Sequence, residues 1–240
     1  MDSSNLIVHT IRPGDTLYNL AILYGTTVQD IMNTNLGLNP YNLRVGQQIY
    51  IYPYSNNNDY WVSKNQVHLM ENMNLAWLDH VFWTRLFLIC VADSLGDLEA
   101  TKARLLENPR DIANVFRRYY GNNFANNIQK LLTEPLVIGG DLIVALKNKN
   151  DKLAQELNTK WYKNADDMAV TFSSINPFYP KEEVRNMLYE HLRLTTNEVS
   201  ARLKKDYAAD IKAYDLVQKE ALQMAKFFVD GIVRQFADLF

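Results

Sequence analysis

The fold of the N-terminal part is decided by residues 7–53, which read IVHTIRPGDTLYNLAILYGTTVQDIMNTNLGLNPYNLRVGQQIYIYP. The segment opens with β-branched residues, which favour a strand, and Pro13-Gly14 ends that strand with a turn. Two stretches with apolar residues at helical spacing follow, and the alternating run Gln48–Tyr52 closes the segment. We therefore expect the order strand, helix, helix, strand over residues 1–53.

Local signals place the ends of the two short helices. Asp15 or Thr16 can cap the first helix by accepting hydrogen bonds from its free backbone N–H groups, and Thr27 can cap the second. Gly25 suits the left-handed residue that often follows a helix. The faces expected to be buried consist of Leu17, Leu20, Ala21, Tyr24, Val28, Ile31 and Met32.

The spacing of a few residues in this segment resembles the LysM family of carbohydrate-binding modules. The pattern comprises Gly-Asp-Thr-Leu at 14–17, Ala21 in the first helix, Asn35 at the end of the second helix, and Gly46-Gln47 before the last strand. The resemblance covers the whole module. It implies a β-α-α-β fold that holds polymers of N-acetylglucosamine, such as peptidoglycan or chitin.

The resemblance also implies a shallow sugar groove between the loop after the first strand and the loop before the last. One wall would be formed by Gly14, Asp15, Thr16 and Leu17, and the other by Asn39, Pro40, Tyr41 and Leu43. Backbone groups of such loops can pair with N-acetyl and hydroxyl groups while apolar side chains cover the sugar face. Helix capping by Asp15 and Thr16, and burial of Leu17, remain alternatives. An aromatic ring in a polar loop makes Tyr41 the clearest ligand candidate.

The composition restricts the class of protein. The 240 residues are 48% hydrophobic and 22% charged, with a formal net charge of -2, which is ordinary for a chain that builds its own core. Because there is no basic excess to neutralise phosphates, nucleic acid is not an expected partner. The length exceeds that of one small module and indicates a second, larger domain.

The single cysteine and the N-terminal residues indicate in which cellular compartment the protein is made. Cys90 lies in the apolar run 86–92, so we expect a buried thiol and no intramolecular disulfide. That run is far shorter than the ~20 residues of a membrane-spanning helix, so no membrane span is expected. Met1–Asn5 are acidic and polar, without the positively charged start and the apolar segment of a signal peptide. We expect synthesis in the cytoplasm and deposition on a spore surface or a cell wall.

A polar run separates the module from the rest of the chain. Residues 54–59 read YSNNND, which has low preference for helix or strand. We place a short linker there, between a module at residues 1–53 and a second domain at residues 60–240. Beyond it the apolar period is helical throughout, which predicts an all-α bundle. The expected fold class is α+β, with a small β-α-α-β module followed by the bundle.

Capping residues, glycines and prolines set the predicted helices of the second domain. These helices are 63–95 ended by Gly96, 98–106, 108–119 ended by Gly121, 124–146 kinked at Pro135, 151–174, 181–194, and a last helix opened by a capping box at 195–198 and reaching about residue 236. A further break near Tyr207 is compatible with the sequence.

Five short stretches of the second domain resemble an all-helical protein group of spore-forming bacteria. They read DHVFWTR at 79–85, LTEPL at 132–136, WYKNAD at 161–166, SINP at 174–177 and MLYEHL at 187–192. Members are often labelled as an amino-acid kinase. We reject that function for this chain because it has no glycine-rich phosphate loop followed by a basic residue. The group commonly has a histidine where this chain has Pro135, which counts against a site that needs that ligand.

Histidines and carboxylates on different predicted helices raise the question of a metal site. The candidates are His80, Glu134 and His191, because inward-facing carboxylates and histidines build metal sites in bundles. However, the sequence has no Glu-x-x-His pair, and the adjacent Glu190 and His191 point in different directions on a helix. We favour a buried polar network and expect no metal and no cofactor. We expect Arg85 to form a salt bridge with one of the acids Glu134, Asp166, Glu190 and Asp215.

Three functions from different classes fit these observations. We favour a non-catalytic protein that binds an N-acetylglucosamine polymer and uses the bundle for assembly, as a homo-oligomer or with envelope proteins. An enzyme, either metal-dependent or wall-degrading, is the first alternative, although no nucleophile elbow or His-Glu-x-x-His motif occurs and no catalytic residue is assigned. The second alternative is a phage-like particle assembly protein whose module serves as a protein connector.

Overall fold

A computed structural model describes residues 6–35, 37–40, 42–53 and 63–240 of the chain. The chain divides into two compact units, Met1–Trp61 and Val62–Phe240, which we call the N-terminal module and the helical unit. The predicted linker at residues 54–59 lies outside the described residues.

The N-terminal module has the predicted β-α-α-β order. Its elements are β1 (Ile7–Thr10), α1 (Leu17–Leu23), α2 (Val28–Thr34) and β2 (Gln48–Ile51). The two strands pair antiparallel, with Ile7 opposite Ile51 and Thr10 opposite Gln48. The helices cover one face of this small sheet, and the buried core consists of Ile11, Leu17, Leu20, Ala21, Ile31, Ile49 and Ile51.

Side-chain hydrogen bonds fix the helix ends of the module. Thr16 caps α1, since its Oγ1 accepts the Asn19 N–H at 3.1 Å, so the alternative of an Asp15 cap is wrong. Asn35, just after α2, donates from Nδ2 to the carbonyl of Tyr50 at 2.6 Å and accepts the Tyr50 N–H at 2.8 Å. This side chain satisfies the outward-facing N–H and C=O of Tyr50 and ties β2 to the end of α2.

The helical unit is an all-α bundle, as predicted. Its elements are α3 (Lys64–Asp93), α4 (Leu98–Leu105), α5 (Asn108–Lys147), α6 (Asp151–Ile175), α7 (Lys181–Leu203), α8 (Tyr207–Gln235) and a short 3-10 turn (Ala237–Leu239). The long helices pack in sequence order from α5 to α8, and α3 packs against both α5 and α8.

Aromatic side chains fill the centre of the bundle. Phe172 and Phe228 have ring centroids 4.6 Å apart, and Phe116 lies 5.4 Å from Phe228 in an edge-to-face arrangement. Trp77 of α3 stacks on Phe228 at 6.0 Å. Offset and edge-to-face pairs of this kind contribute beyond the area that they bury, so α3, α5, α6 and α8 meet in one aromatic core.

Two predicted helix boundaries need correction. Ser94, with a φ of 57°, is the left-handed residue that ends α3, in place of Gly96. Residues 195–198 do not open a helix, because α7 runs unbroken to Leu203. Thr195 donates its hydroxyl to the His191 carbonyl at 2.9 Å, the bond that a threonine makes inside a helix. The chain instead breaks between Leu203, the end of α7, and Tyr207, the start of α8. The sequence had also allowed a break near Tyr207.

Glycine and proline in α5 behave differently. Gly121 has φ 77° and ψ 179°, so the helical path is broken there, as predicted. Pro135 lies within the second half of the element, where helical backbone continues on both sides. A proline in this position leaves one carbonyl without its helical donor.

The α3 helix is the one described element whose length and composition would let it cross a membrane. Its most apolar 18-residue window has a mean hydropathy of 1.4, and 44% of that window is buried inside the unit. A core helix passes the same test, and α3 supplies the buried Met73, Trp77 and Leu88.

We expect Gly231→Ala to destabilise the helical unit by about 2–3 kcal/mol. A Cβ on Gly231 would lie 2.0 Å from Cε1 of Tyr179. Tyr179 is only 1% exposed and donates its hydroxyl to the Phe228 carbonyl at 2.5 Å, so its ring has no free path away from α8. Urea unfolding followed by circular dichroism measures the loss. Gly96→Ala is the control, because its Cβ meets no atom within 4 Å. Equal stabilities of the two variants would contradict this packing.

Candidate functional site

The loop between β1 and α1 forms a tight, exposed turn. The Arg12 N–H donates to Oδ2 of Asp15 at 2.7 Å, and the Asp15 N–H donates to the Arg12 carbonyl at 3.1 Å. Gly14, at the tip, has a φ of 89° and open space where a side chain would lie. Of the predicted wall, Gly14 and Thr16 are exposed and Asp15 is half-buried, whereas the Leu17 side chain is 2% exposed and belongs to the core. Leu17 can therefore offer only its backbone to a ligand.

The second predicted wall precedes β2. Asn39 is exposed and Pro40 half-buried, while Leu43 is half-buried and packs against the module core. Tyr41, the aromatic candidate, lies outside the described residues. The wall therefore offers an amide side chain, a proline ring and backbone groups in the part of the chain that the structure describes.

Backbone hydrogen bonds join the roots of the two loops. The Gly46 N–H donates to the Ile11 carbonyl, and the Ile11 N–H donates to the Gln47 carbonyl, both at 2.8 Å. This exchange extends the antiparallel pairing by one step beyond Thr10 and Gln48. The start of the loop that follows β1 therefore lies beside the end of the loop that precedes β2, at one end of the sheet. This geometry is the one that a groove between two loops requires.

Comparison with protein families agrees with this geometry. Residues 9–51 match the family model described as LysM domain. The N-terminal unit contains a LysM module. Comparisons with curated proteins and with solved structures give no significant match. The LysM match supports binding of a glycan of the peptidoglycan or chitin type. The family match covers the module alone, so the resemblance of the helical unit to spore-former proteins stays a prediction.

His9 is a residue beside this site that the sequence analysis did not single out. It is 7% exposed, and its Nε2 lies 2.8 Å from Oδ2 of Asp15. Two hydrogen bonds lower the pKa of Asp15 below its usual value. The one with His9 has the larger effect, and the one from the Arg12 N–H has the smaller. The alternation of β1 places His9 on the same face as Ile7 and Ile11, so the period of two could have indicated its burial.

The predicted metal candidates of the helical unit separate into two places. His80 and His191 lie together, with ring centroids 5.6 Å apart, and their Nδ1 atoms pair with Asn108 Oδ1 at 3.0 Å and Glu220 Oε2 at 2.7 Å. Glu134 instead accepts a hydrogen bond from Asn164 at 3.1 Å. Among the residues with described positions, no three His, Cys, Asp or Glu side chains are grouped so as to hold a metal ion.

Arg85 forms salt bridges with Glu198 and Asp210, so the prediction of a partner among Glu134, Asp166, Glu190 and Asp215 is wrong. Its guanidinium lies 2.6 Å from Glu198 on α7 and 2.9 Å from Asp210 on α8, and both carboxylates are at most 2% exposed. Arg202 also approaches Asp210, at 3.4 Å. A buried carboxylate without a partner is costly, so this network holds α3, α7 and α8 in one register.

The helical unit also has an open groove of about 420 Å³ between α3 and α5. Asp79 and Asp111 line it, and both approach the Arg104 guanidinium, at 3.2 and 3.7 Å. A glycosidase uses one carboxyl as an acid and the other as a base or nucleophile. Here both carboxylates lie near the Arg104 guanidinium, and Asp111 also lies 3.9 Å from Arg110, so each carboxylate already has a cationic partner.

We expect His80 to contribute a loss of stability of the helical unit in mild acid, against the opposite contribution of Glu198, whose pKa burial raises to about 7. Burial, and secondarily the neighbouring His191, lowers the pKa of His80 to about 3. Between that value and the ordinary pKa of about 6.5, the unfolded chain binds a proton that the folded chain does not, so stability decreases as pH falls. The loss is about 1.4 kcal/mol per pH unit within this window.

The measurement is urea unfolding at several pH values between about 6.5 and 4.5. Over this range His80→Gln should gain stability relative to the unaltered protein as the pH falls, since glutamine binds no proton. His68→Gln is the control, because His68 is an exposed histidine on the same helix. Parallel pH profiles for the unaltered protein and His80→Gln would show that His80 is protonated in the folded state.

Proposed function

We propose that this protein is a non-catalytic anchor that binds N-acetylglucosamine-containing glycan, in peptidoglycan or the spore cortex, through its LysM module. The observation that carries the proposal is the pairing of Ile11 with Gly46 and Gln47, which sets the two predicted wall loops side by side. The match of residues 9–51 to the LysM domain supports the same ligand class. Gly14 and Asn39, on opposite walls, are both exposed.

The helical unit is proposed to mediate assembly, as a homo-oligomer or with envelope proteins. A single module of this kind binds weakly, and joining several copies raises the overall affinity without any new contact to the polymer. Large apolar side chains on the surface of the unit support this role, among them Leu75 at 61% exposed, Ile211 at 55% and Phe82 at 48%. Deposition on the spore surface or the cell wall is part of the proposal.

The test is sedimentation of the full-length protein with purified peptidoglycan and with chitin, comparing Gly14→Ala with Gly25→Ala. Both glycines have positive φ, 89° and 60°, and a Cβ added at either position would meet no atom within 4 Å. Both substitutions therefore impose similar backbone strain, of about 1–2 kcal/mol. Only Gly14 lies in the predicted wall, so Gly14→Ala should weaken binding by about threefold to tenfold more than Gly25→Ala.

Three results would contradict the proposal. Equal glycan binding by the two variants would show that the loop after β1 does not contribute to the binding site. No binding of the unaltered protein to either polymer would favour the protein connector instead. Release of soluble fragments from the peptidoglycan would indicate an enzyme.

A further inference from the structure

The two helices of the module cover one face of its sheet, and no described residue covers the opposite face. Val8 on β1 lies directly opposite Tyr50 on β2, and Thr10 lies opposite Gln48. All four side chains are exposed, Val8 at 51% and Tyr50 at 45%. Because side chains alternate along a strand, these four lie on the face opposite to that of the buried Ile49.

The same face continues one step beyond the paired residues. Ile7 pairs with Ile51, so the next step along the ladder sets Leu6 beside Tyr52. Leu6 is 40% exposed and Tyr52 is 42% exposed. Tyr50 and Tyr52 are two residues apart on one strand, so their Cα atoms are separated by about 7 Å. We define the outer face of the module as Leu6, Val8, Thr10, Gln48, Tyr50 and Tyr52.

The fold of the module does not use the two tyrosine side chains of the outer face. Asn35 holds the backbone of Tyr50, not its side chain. Neither tyrosine hydroxyl forms a hydrogen bond with a described residue, and neither ring has an aromatic contact with one. The solvated face of an antiparallel sheet is ordinarily polar. Two neighbouring exposed tyrosines beside Val8 and Leu6 therefore indicate a binding surface.

The chemistry of the outer face fits an uncharged carbohydrate. None of its six residues is Asp, Glu, Lys, Arg or His, so it offers no charge to complement a charged partner. One side of a pyranose ring presents C–H groups, which the negative face of an aromatic ring attracts. The tyrosine hydroxyls and the side chains of Thr10 and Gln48 can pair with sugar hydroxyl and N-acetyl groups. A polymer of N-acetylglucosamine offers both kinds of contact.

The outer face is continuous with the proposed groove. Its last pair, Thr10 and Gln48, is followed directly by the hydrogen bonds between Ile11 and Gly46 at the roots of the two loops. From Thr10 to Leu6 the face extends about 13 Å along β1. A polymer has sugars beyond those that the groove holds, and the outer face begins where the groove ends.

We propose that the outer face is a second glycan subsite, in which Tyr50 and Tyr52 stack on sugars of the N-acetylglucosamine polymer that the loops hold. The inference rests on the proposed function, because the polymer is the same. Tyrosine rings supply contact area at a low cost in conformational entropy. The subsite adds affinity for long oligomers and none for an oligomer that is short enough to lie within the groove.

The first test compares two oligomer lengths by calorimetry. The full-length protein and the double variant Tyr50→Thr/Tyr52→Thr are titrated with the trisaccharide and the hexasaccharide of N-acetylglucosamine. Threonine keeps the preference for a strand but has no ring to stack. Loss of two stacking contacts should weaken hexasaccharide binding by about fivefold or more. Trisaccharide binding should be the same for the double variant and the unaltered protein.

Two further variants are matched controls. Tyr50→Phe/Tyr52→Phe keeps both rings and should keep most of the affinity for the hexasaccharide. Leu23→Ala removes an apolar side chain that is 68% exposed on α1 of the same module, away from the outer face, and should leave the affinity unchanged. Thermal unfolding of each variant separates a loss of affinity from a loss of structure.

The second test uses the unaltered protein and so does not depend on the folding of a variant. The ring resonances of Tyr50 and Tyr52 are identified from the spectra of Tyr50→Phe and Tyr52→Phe and followed by NMR during titration. We expect them to shift with the hexasaccharide and to stay in place with the trisaccharide. The backbone amides of the two loops should shift with both oligomers.

The outcomes distinguish the inference from the proposed function. Weaker binding of the hexasaccharide alone by the threonine variant, with ring shifts that only the hexasaccharide causes, supports the inference. Unchanged hexasaccharide affinity, or equal weakening for both oligomers, overturns the inference and leaves the anchoring function in place. A threonine variant that sediments as a smaller species with unchanged affinity also overturns it and assigns the outer face to contact with a second copy of the chain. No binding of either oligomer by the unaltered protein overturns both.

Discussion

The N-terminal module depends on the pairing of two strands of four residues each. A two-stranded sheet of this size is marginal by itself, so the pairing needs cover on its face and at its edge. Leu20 and Ile31 from the two helices cover the face that carries Ile49, and Asn35 satisfies the backbone at the edge of β2. Because this pairing extends to Ile11 and Gly46, the same interaction that stabilises the module also brings the two loops together.

Buried polar groups serve different purposes in the two units. In the helical unit, the Arg85 guanidinium forms ion pairs with the buried carboxylates of Glu198 and Asp210. In the module, the polar chain that begins at the buried His9 ends at the surface, on the partly exposed Asp15. The first network links three helices of the bundle, whereas the second links β1 to the loop that follows it.

Predictions from sequence were accurate where a local signal acts alone and wrong where tertiary contacts compete with it. Gly121 breaks α5 because only glycine adopts a φ of 77° without a steric cost. Residues 195–198 carry a valid capping pattern, yet α7 continues through them, because Glu198 is drawn into the ion pair with Arg85 and Thr195 bonds within the helix. Ser94 ends α3 in the left-handed conformation two residues before Gly96, which the glycine rule had favoured.

The sequence by itself determined the order of the elements in the module, the buried faces of its two helices and the LysM pattern, because each of these follows from spacing within a few residues. Only the tertiary structure decided which polar groups meet. Asp15 pairs with His9 across a turn and His9 with Tyr24 across a helix, while Arg85 pairs with acids 113 and 125 residues away. Such contacts have no local signature, since they depend on which faces of separate elements the packing of the apolar side chains brings together.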